Sequence, residues 1–480
     1  MTGETLLLVC VLVPLGGAFV LPLLGRVSAL LRNVFALCLV TVSLVCSLLL
    51  IPQALAGGAV SWSAAGPLGI NFSFTADALA VFMAAVSSLV GAVIMLFSFD
   101  YISHYKNQNE YYVMAVLFLG AMMGLVFSAN LVFLFVFWEI TGIASWRLIG
   151  FYRGKGDVLR ADKAFLVTAF GALLMLLGIV AVYVQAGSFE LGALRGTALP
   201  WLISAMFLAG MLSKSATLPF HTWLPDAGVA PSPVTALLHA AVLVKIGVYV
   251  FARLFLATFV LDPGMRMAVM GVAAASALVS AGAALVETDI KRIVAYSTVS
   301  QIAFIFLGLA SGTAAGAVGA LLYILMHGLA KAGLFLSAGV VEQNAGTKDI
   351  RKLGGLIRTM PVTAVSFLFC AFSVMGFPPL GGFFSKYLVV SSAVESGEPV
   401  MAAVFLGGAV LTILYLFRLF SRVFLGEPRG GALEAARERS VLMVASVALL
   451  AILSLAGGIL VGWPSALARA AVAVMPGVAQ

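Results

Sequence analysis

Runs of about twenty apolar residues, long enough for a helix to cross the hydrocarbon core of a bilayer, recur along the whole chain. Residues 33–53, 76–99 and 162–186 are examples. About fourteen such spans can be marked between residues 4 and 462. With 62% hydrophobic and only 10% charged residues in 480, against about 25% charge in a soluble domain, the expected fold is an all-α polytopic membrane protein. No linker separates soluble units, so residues 1–480 read as one membrane domain.

The net charge of +8 would suggest nucleic acid in a soluble chain, but here the positive-inside rule accounts for it. Alternating the sides leaves Arg195, Arg253, Arg266 and Arg469 on one face and four lysines within spans. The other nineteen of the 27 Lys and Arg share the opposite face, which is expected to be cytoplasmic, with both termini outside. Its richest loops are "RGKGDVLRADK", "KDIRKLGGLIR" and "RVFLGEPRGGALEAARERS", read as solvated topology signals or as a docking surface for a hydrophilic partner. No Lys or Arg precedes the first apolar run, which fits a retained helix rather than a signal peptide. Cys10, Cys38, Cys46 and Cys370 lie singly in apolar runs without metal or redox spacing. The polar stretch "SWSAAGPLGINFSFTAD" alternates as a small hairpin would.

Residues 213–245, "SKSATLPFHTWLPDAGVAPSPVTALLHAAVLVK", place charge where the composition says hydrocarbon. Lys214 precedes Pro219, which predicts a helix broken just past the charge. Lys245 lies deep in the next apolar run, and an ionisable side chain there costs roughly 3 kcal/mol on insertion scales. Five spans later "GFPPLGGFFSKY" repeats the pattern, a break and then Lys386. An offset of five helices reverses a unit in the membrane, so two inverted five-helix repeats are expected, with spans 7 and 12 broken near the midplane. The expected layout is helices 1–3 in residues 1–110, the first repeat in 111–257, the second in 266–425 and helix 14 in 426–480.

One carboxylate, Glu139 in "LFVFWEITGIASW", sits clearly inside a span. Lys214 is its expected mate, and such a pair can loosen when another charge arrives and release its proton. The further candidates are His239 and Lys245, about 120° apart on an ideal helix, then His327 and Lys331 on one face, four residues apart, and Lys386. Tyr296, Ser297, Thr298, Ser300 and Gln301 read either as holders of water between these groups or as helix glue. His221 and Asp226 read as caps of the broken helix or as an ion access point; His104 and Lys106, in a polar turn, need no role. No phosphate loop, dinucleotide fingerprint, metal cluster or catalytic triad is present. No cofactor and no metal are expected, and energy has to come from an ion gradient or from partners.

"VFWEITGIASWRLIGF", "KSATLPFHTWLPDAGVAPSPVTALLHAAVLVKIGVY", "ETDIKRIVAYSTVSQIAF", "MHGLAKAGLFLSAG" and "GFPPLGGFFSKY" resemble the antiporter-like subunits shared by respiratory complex I, Mrp-type cation/proton antiporters and membrane-bound hydrogenases. The resemblance spans residues 70–425. It implies a core of fourteen helices and a proton path of Glu139, Lys214, His239 or Lys245, and Lys386, with His327 and Lys331 on span 11. "KAFLVTAFGALLMLLGI" and "GTKDIRKLGGL" look most like the large Mrp subunit and hydrogenase-linked relatives. The chain departs from that subunit in stopping soon after span 14, and Arg147 stands where the family is commonly uncharged.

The expected function is therefore a proton-translocating subunit of a multi-subunit complex in the bacterial or archaeal cytoplasmic membrane. That complex would be a hydrogenase- or quinone-linked oxidoreductase or an Mrp-type antiporter. Other membrane subunits, and a peripheral redox arm, are the expected partners. The alternative is a non-conducting scaffold that anchors a soluble redox or carbon-handling enzyme. One buried carboxylate among many lysines favours protons over sodium, which wants several oxygen ligands.

Overall fold

In hydrocarbon no water satisfies a backbone amide, so each crossing segment must close its own hydrogen bonds. Helices accordingly dominate the computed structural model, which describes residues 2–66, 69–428 and 436–478. α1 (Gly3–Ala18) bends by 52° into α2 (Leu21–Val27), and α3 (Ala29–Leu55) leads to a two-stranded hairpin. After it come α4 (Ala78–Tyr101), α5 (Gln108–Phe127), α6 (Leu131–Ile149), α7 (Lys155–Ala186) and the short α8 (Trp201–Lys214). The next segment runs through α9 (Trp223–Asp226), α10 (Ser232–Ala236) and α11 (Leu243–Phe251). α12 (Pro263–Val286), α13 (Ile290–Ala310) and α14 (Ala314–Ala345) follow, then α15 (Pro361–Met375), α16 (Gly381–Glu395), α17 (Pro399–Phe424), α18 (Val441–Ile459) and α19 (Gly462–Ala473).

By length and composition, eleven helical segments among the described residues can cross a membrane, twelve if α1 and α2 form one span. α8 and α15 are shorter apolar helices. Residues 232–256, α13 and α14 are almost wholly buried and form the centre, whereas α3, α7, α17 and α18 are outer helices. α19, beyond the last expected span, packs on α3, α4 and α14.

Local chemistry sets the boundaries. Asp77 caps α4 by accepting from Ala80 N at 2.9 Å, Asp262 and Pro263 start α12, and Asp289 caps α13 through the amides of Lys291 and Arg292, each supplying an acceptor for an orphan N–H. The expected hairpin pairs β1 (Val60–Ala64) with β2 (Phe72–Ala76), in register from Val60↔Ala76 to Ala64↔Phe72. Part of its turn, residues 67–68, lies outside the described residues.

Charge separates to the two ends of the bundle. At the hairpin end Arg253 grips Asp77 with two nitrogens, at 2.5 and 2.7 Å. The opposite end carries most of the ion pairs. Glu110 holds both Arg147 and Arg153 at 2.6 Å, which gives the unusual Arg147 a partner. Asp226 bridges Lys163 on α7 (2.7 Å) and Arg292 on α13 (2.8 Å), and Arg292 also binds Glu287 at 2.8 Å. In the third basic loop, residues 429–435 lie outside the described residues.

Asp226 thus ties the segment after the α8 break to two helices. Burial alone would raise its carboxyl, but the hydrogen bonds from Lys163 and Arg292 outweigh it and hold the group below the ordinary carboxylate range. A depressed folded value means that the stabilisation is complete above the unfolded value of about 4 and is lost as pH falls through the folded one. Asp226→Asn is therefore expected to lower the unfolding temperature at pH 7 by about 1–2 °C, the scale set by partly exposed pairs worth about 0.2–1 kcal/mol. The gap from wild type should close as the pH is lowered below about 4 in a thermal-melt series.

Candidate ion path

α8 stops at Lys214, and the chain turns at Ala216 with φ 52°. A helix that ends at bilayer depth leaves carbonyls that must find donors. Thr217 gives its N–H and its hydroxyl to Leu212 O at 3.1 and 3.2 Å, and Trp223 Nε1 donates to Ser213 O at 3.0 Å. Lys214 is 1% exposed. Its Nζ donates to Trp138 O on α6 at 3.0 Å and lies 5.2 Å from the Trp138 ring. Gly142 leaves room for it, since a Cβ there would lie 3.3 Å from Nζ.

Glu139, the next residue after Trp138, is half-buried. It is within electrostatic range of Lys214, but the two are not an ion pair within 4.0 Å among the described residues. Lys214 is held by a carbonyl, with the carboxylate as a more distant influence.

From Lys214 the next residue, Ser215, donates to Val244 O at 3.2 Å, so the neighbours of Lys214 and Lys245 touch. Gly247 makes that approach feasible; a Cβ there would fall 2.0 Å from Ser215 Oγ. Lys245 is 0% exposed, and its Nζ is hydrogen-bonded to His327 Nδ1 on α14. His239 stands in a π-helical turn, Leu237–Ala241, closed by Val242 N→Leu237 O. The ideal-helix angle expected between His239 and Lys245 therefore does not apply. The His239 ring packs on Phe335 at 4.4 Å between centroids, and neither ring nitrogen has a hydrogen-bond partner among the described residues.

Lys331, one turn beyond His327 on α14, turns the other way, to Ser297 Oγ at 2.5 Å and Val294 O at 3.2 Å on α13. Lys386, on α16 just past the second break, donates to Val374 O at 2.7 Å, one residue before α15 ends, and sits 4.6 Å above the Phe304 ring. His327 lies within electrostatic range of Lys245, Lys331, His239 and Lys386. The structure thus gathers His239, Lys245, His327, Lys331 and Lys386 in the centre, with Glu139 and Lys214 beside them. His221 is partly exposed and Asp226 is taken by its ion pairs, while no group of three His, Cys, Asp or Glu among the described residues is placed to hold a metal.

Sequence reading missed two features. Glu342, near the C-terminal end of α14, pairs at 2.5 Å with Lys291, a lysine only 1% exposed at the start of α13; the sequence marks neither as a buried charge. Tyr415 on α17 also reaches this centre, and its one signal was Thr412, three residues earlier on the same helix face.

A family profile described as "NADH:quinone oxidoreductase/Mrp antiporter, TM" matches residues 128–412. One described as "NADH-Ubiquinone oxidoreductase (complex I), chain 5 N-terminus" matches residues 62–112. The chain is 35% identical over 402 residues to NAD(P)H-quinone oxidoreductase subunit 5, organellar chromatophore 1, of Paulinella chromatophora, covering 79% of this chain and 59% of that one. It is 34% identical over 426 residues to Na(+)/H(+) antiporter subunit A1 of Staphylococcus saprophyticus, covering 82% and 52%. It therefore spans little more than half the length of these curated relatives. A chain of the Mrp complex from Dietzia sp. superposes with a TM-score of 0.90 at 25% identity, over 98% of this chain and 97% of that one. With more than half of its length matched by the first profile and the same fold throughout, the chain belongs to the NADH:quinone oxidoreductase/Mrp antiporter transmembrane family.

Proposed function

We propose that the chain is a proton-translocating, antiporter-like subunit of a multi-subunit energy-converting complex. One observation carries this reading: Lys214, Lys245, Lys331 and Lys386 are at most 6% exposed, and none has a carboxylate within 4.0 Å among the described residues. An ammonium held only by carbonyls, a hydroxyl or an imidazole has hydrogen-bonded partners but no counter-charge at contact distance to lock it in place. The path runs from Glu139 and Lys214, across the Ser215–Val244 contact, to Lys245 and His327, with His239 alongside, then to Lys331 and out through Lys386. Among the described residues no group of three His, Cys, Asp or Glu offers sodium a set of ligands along this route.

The names of the relatives, a sodium/proton antiporter subunit and a quinone oxidoreductase subunit, support partnership with other membrane subunits; a peripheral redox arm belongs to the oxidoreductase version of this reading. Counting each broken helix with its partner as one span supports fourteen crossings, and the breaks at α8 and α15 support two inverted five-helix repeats in residues 111–257 and 266–425. The ion-paired, loop-rich end is the cytoplasmic one in this reading, with both termini outside.

In membrane vesicles containing the assembled complex, Lys214→Ala is expected to abolish proton translocation, while Lys106→Ala, in an exposed turn, leaves it unchanged. Translocation at the wild-type rate in Lys214→Ala would overturn the assignment. Because Lys214 keeps its carbonyl partner without the carboxylate, Glu139→Gln is expected to slow translocation only about tenfold, a barrier change of about 1.4 kcal/mol. Initial rates of dye-reported acidification distinguish the partial loss from the complete one.

A further inference from the structure

α17 is an outer helix, yet one of its side chains reaches the path. Tyr415 is 0% exposed, and its hydroxyl donates to Ser297 Oγ at 2.7 Å, the oxygen that also accepts from Lys331 Nζ. Behind Tyr415 the Gln301 amide donates to Tyr415 Oη at 3.4 Å and to Thr412 Oγ1 at 3.1 Å. Gln301 Oε1 accepts from Tyr323 Oη at 2.5 Å, and the Tyr323 ring lies 5.6 Å from Lys386 Nζ. The donors all run one way, from Tyr323 through Gln301 and Tyr415 to Ser297, and the last oxygen faces a lysine.

The arrangement at Ser297 differs from that of several other buried serines. Buried serines elsewhere in the bundle, such as Ser88, Ser128 and Ser446, return their hydroxyl to a carbonyl one turn back. Ser297 instead accepts twice, from Tyr415 and from Lys331, which uses both lone pairs of its oxygen. With Tyr415 in place, Ser297 presents an acceptor to Lys331. The ammonium then rests against α13, one turn along α14 from His327, the partner of Lys245.

We propose that Tyr415 is a positioning residue of the proton path: acting through Ser297, it fixes where Lys331 rests, and through Gln301 and Tyr323 it ties that resting place to Lys386. The inference rests on the proton-path reading above. Tyr415 touches neither lysine itself, so its effect on transport passes through Ser297. Without its hydroxyl, Ser297 is free to rotate and Lys331 keeps only Val294 O as a fixed partner.

The test uses vesicles carrying the assembled complex, with proton flux driven by a potassium diffusion potential and read with a pH dye. Tyr415→Phe keeps the ring and its packing and removes only Oη. Tyr415→Phe and Ser297→Ala are each expected to lower the maximal flux about tenfold, the upper end for one neutral hydrogen bond and the lower end for one to a charged group, at unchanged complex content and unfolding temperature. Because one residue acts through the other, the double variant should be no slower than the slower single one. Wild-type flux in Tyr415→Phe, or losses that multiply in the double variant, overturns the proposal. Should Tyr415→Phe fail to accumulate, Gln301→Met, which frees Tyr415 to turn away, is expected to show the same loss, and wild-type flux there overturns it too. Lys214→Ala in the same assay separates the two readings. If it retains flux, the proton path itself falls; if it abolishes flux while Tyr415→Phe is unaffected, only the role of Tyr415 falls.

Discussion

An ammonium group inside a membrane protein has to be held by something, and what holds it decides what it can do. Inserting a lysine at bilayer depth costs roughly 3 kcal/mol, while the negative pole of a helix C-terminus returns up to about 2 kcal/mol in partly buried settings. Lys214 is the last residue of α8, and Lys386 donates to the penultimate carbonyl of α15. Lys386 thus lies against the C-terminal end of a half-helix, whereas Lys214, standing at the end of another, reaches across to Trp138 O on α6. The offset is close but incomplete, so the charge is tolerated without being locked. A carboxylate at contact distance would lock it, because breaking a buried pair costs about 3–5 kcal/mol.

The two breaks reach this arrangement by different local routes. At the first, the turn is made by Ala216 in the left-handed region, and the freed carbonyls are taken by Thr217 and Trp223 while the lysine reaches across to α6. At the second, Gly376 turns with φ 91° and the lysine comes back from α16 to the helix it follows. Gly382 makes that return feasible, since a Cβ there would fall 1.8 Å from Ser373 O. Between the breaks Lys245 is held instead by His327, and Lys331 by Ser297 and Val294 O.

The breaks and their lysines were legible in the sequence because proline, glycine pairs and lysine are all expensive in an apolar run, and expense of that kind stands out residue by residue. The hairpin was legible from its alternation. His239 was placed on the right segment, but not its geometry. A π turn depends on how neighbouring helices press on the strand of backbone between them, and nothing in "LLHAA" announces it. Lys291 and Glu342 are not singled out by the sequence because they stand near helix ends, where sequence cannot separate a wet charge from a dry one; the structure buries the lysine to 1% exposure against a carboxylate. Tyr415 lies on an outer helix, and its significance comes from Ser297, 118 residues away in sequence.

The central claim is that the buried lysines change protonation as ions cross. Infrared difference spectroscopy on the assembled complex, with the lysine side-chain nitrogens labelled by 15N, reads the ammonium deformation bands directly while a driving force is switched on. The account predicts label-sensitive ammonium bands that fall and recover with turnover, and that are lost in Lys331→Met. Ammonium bands that stay constant in a complex actively moving protons would contradict it.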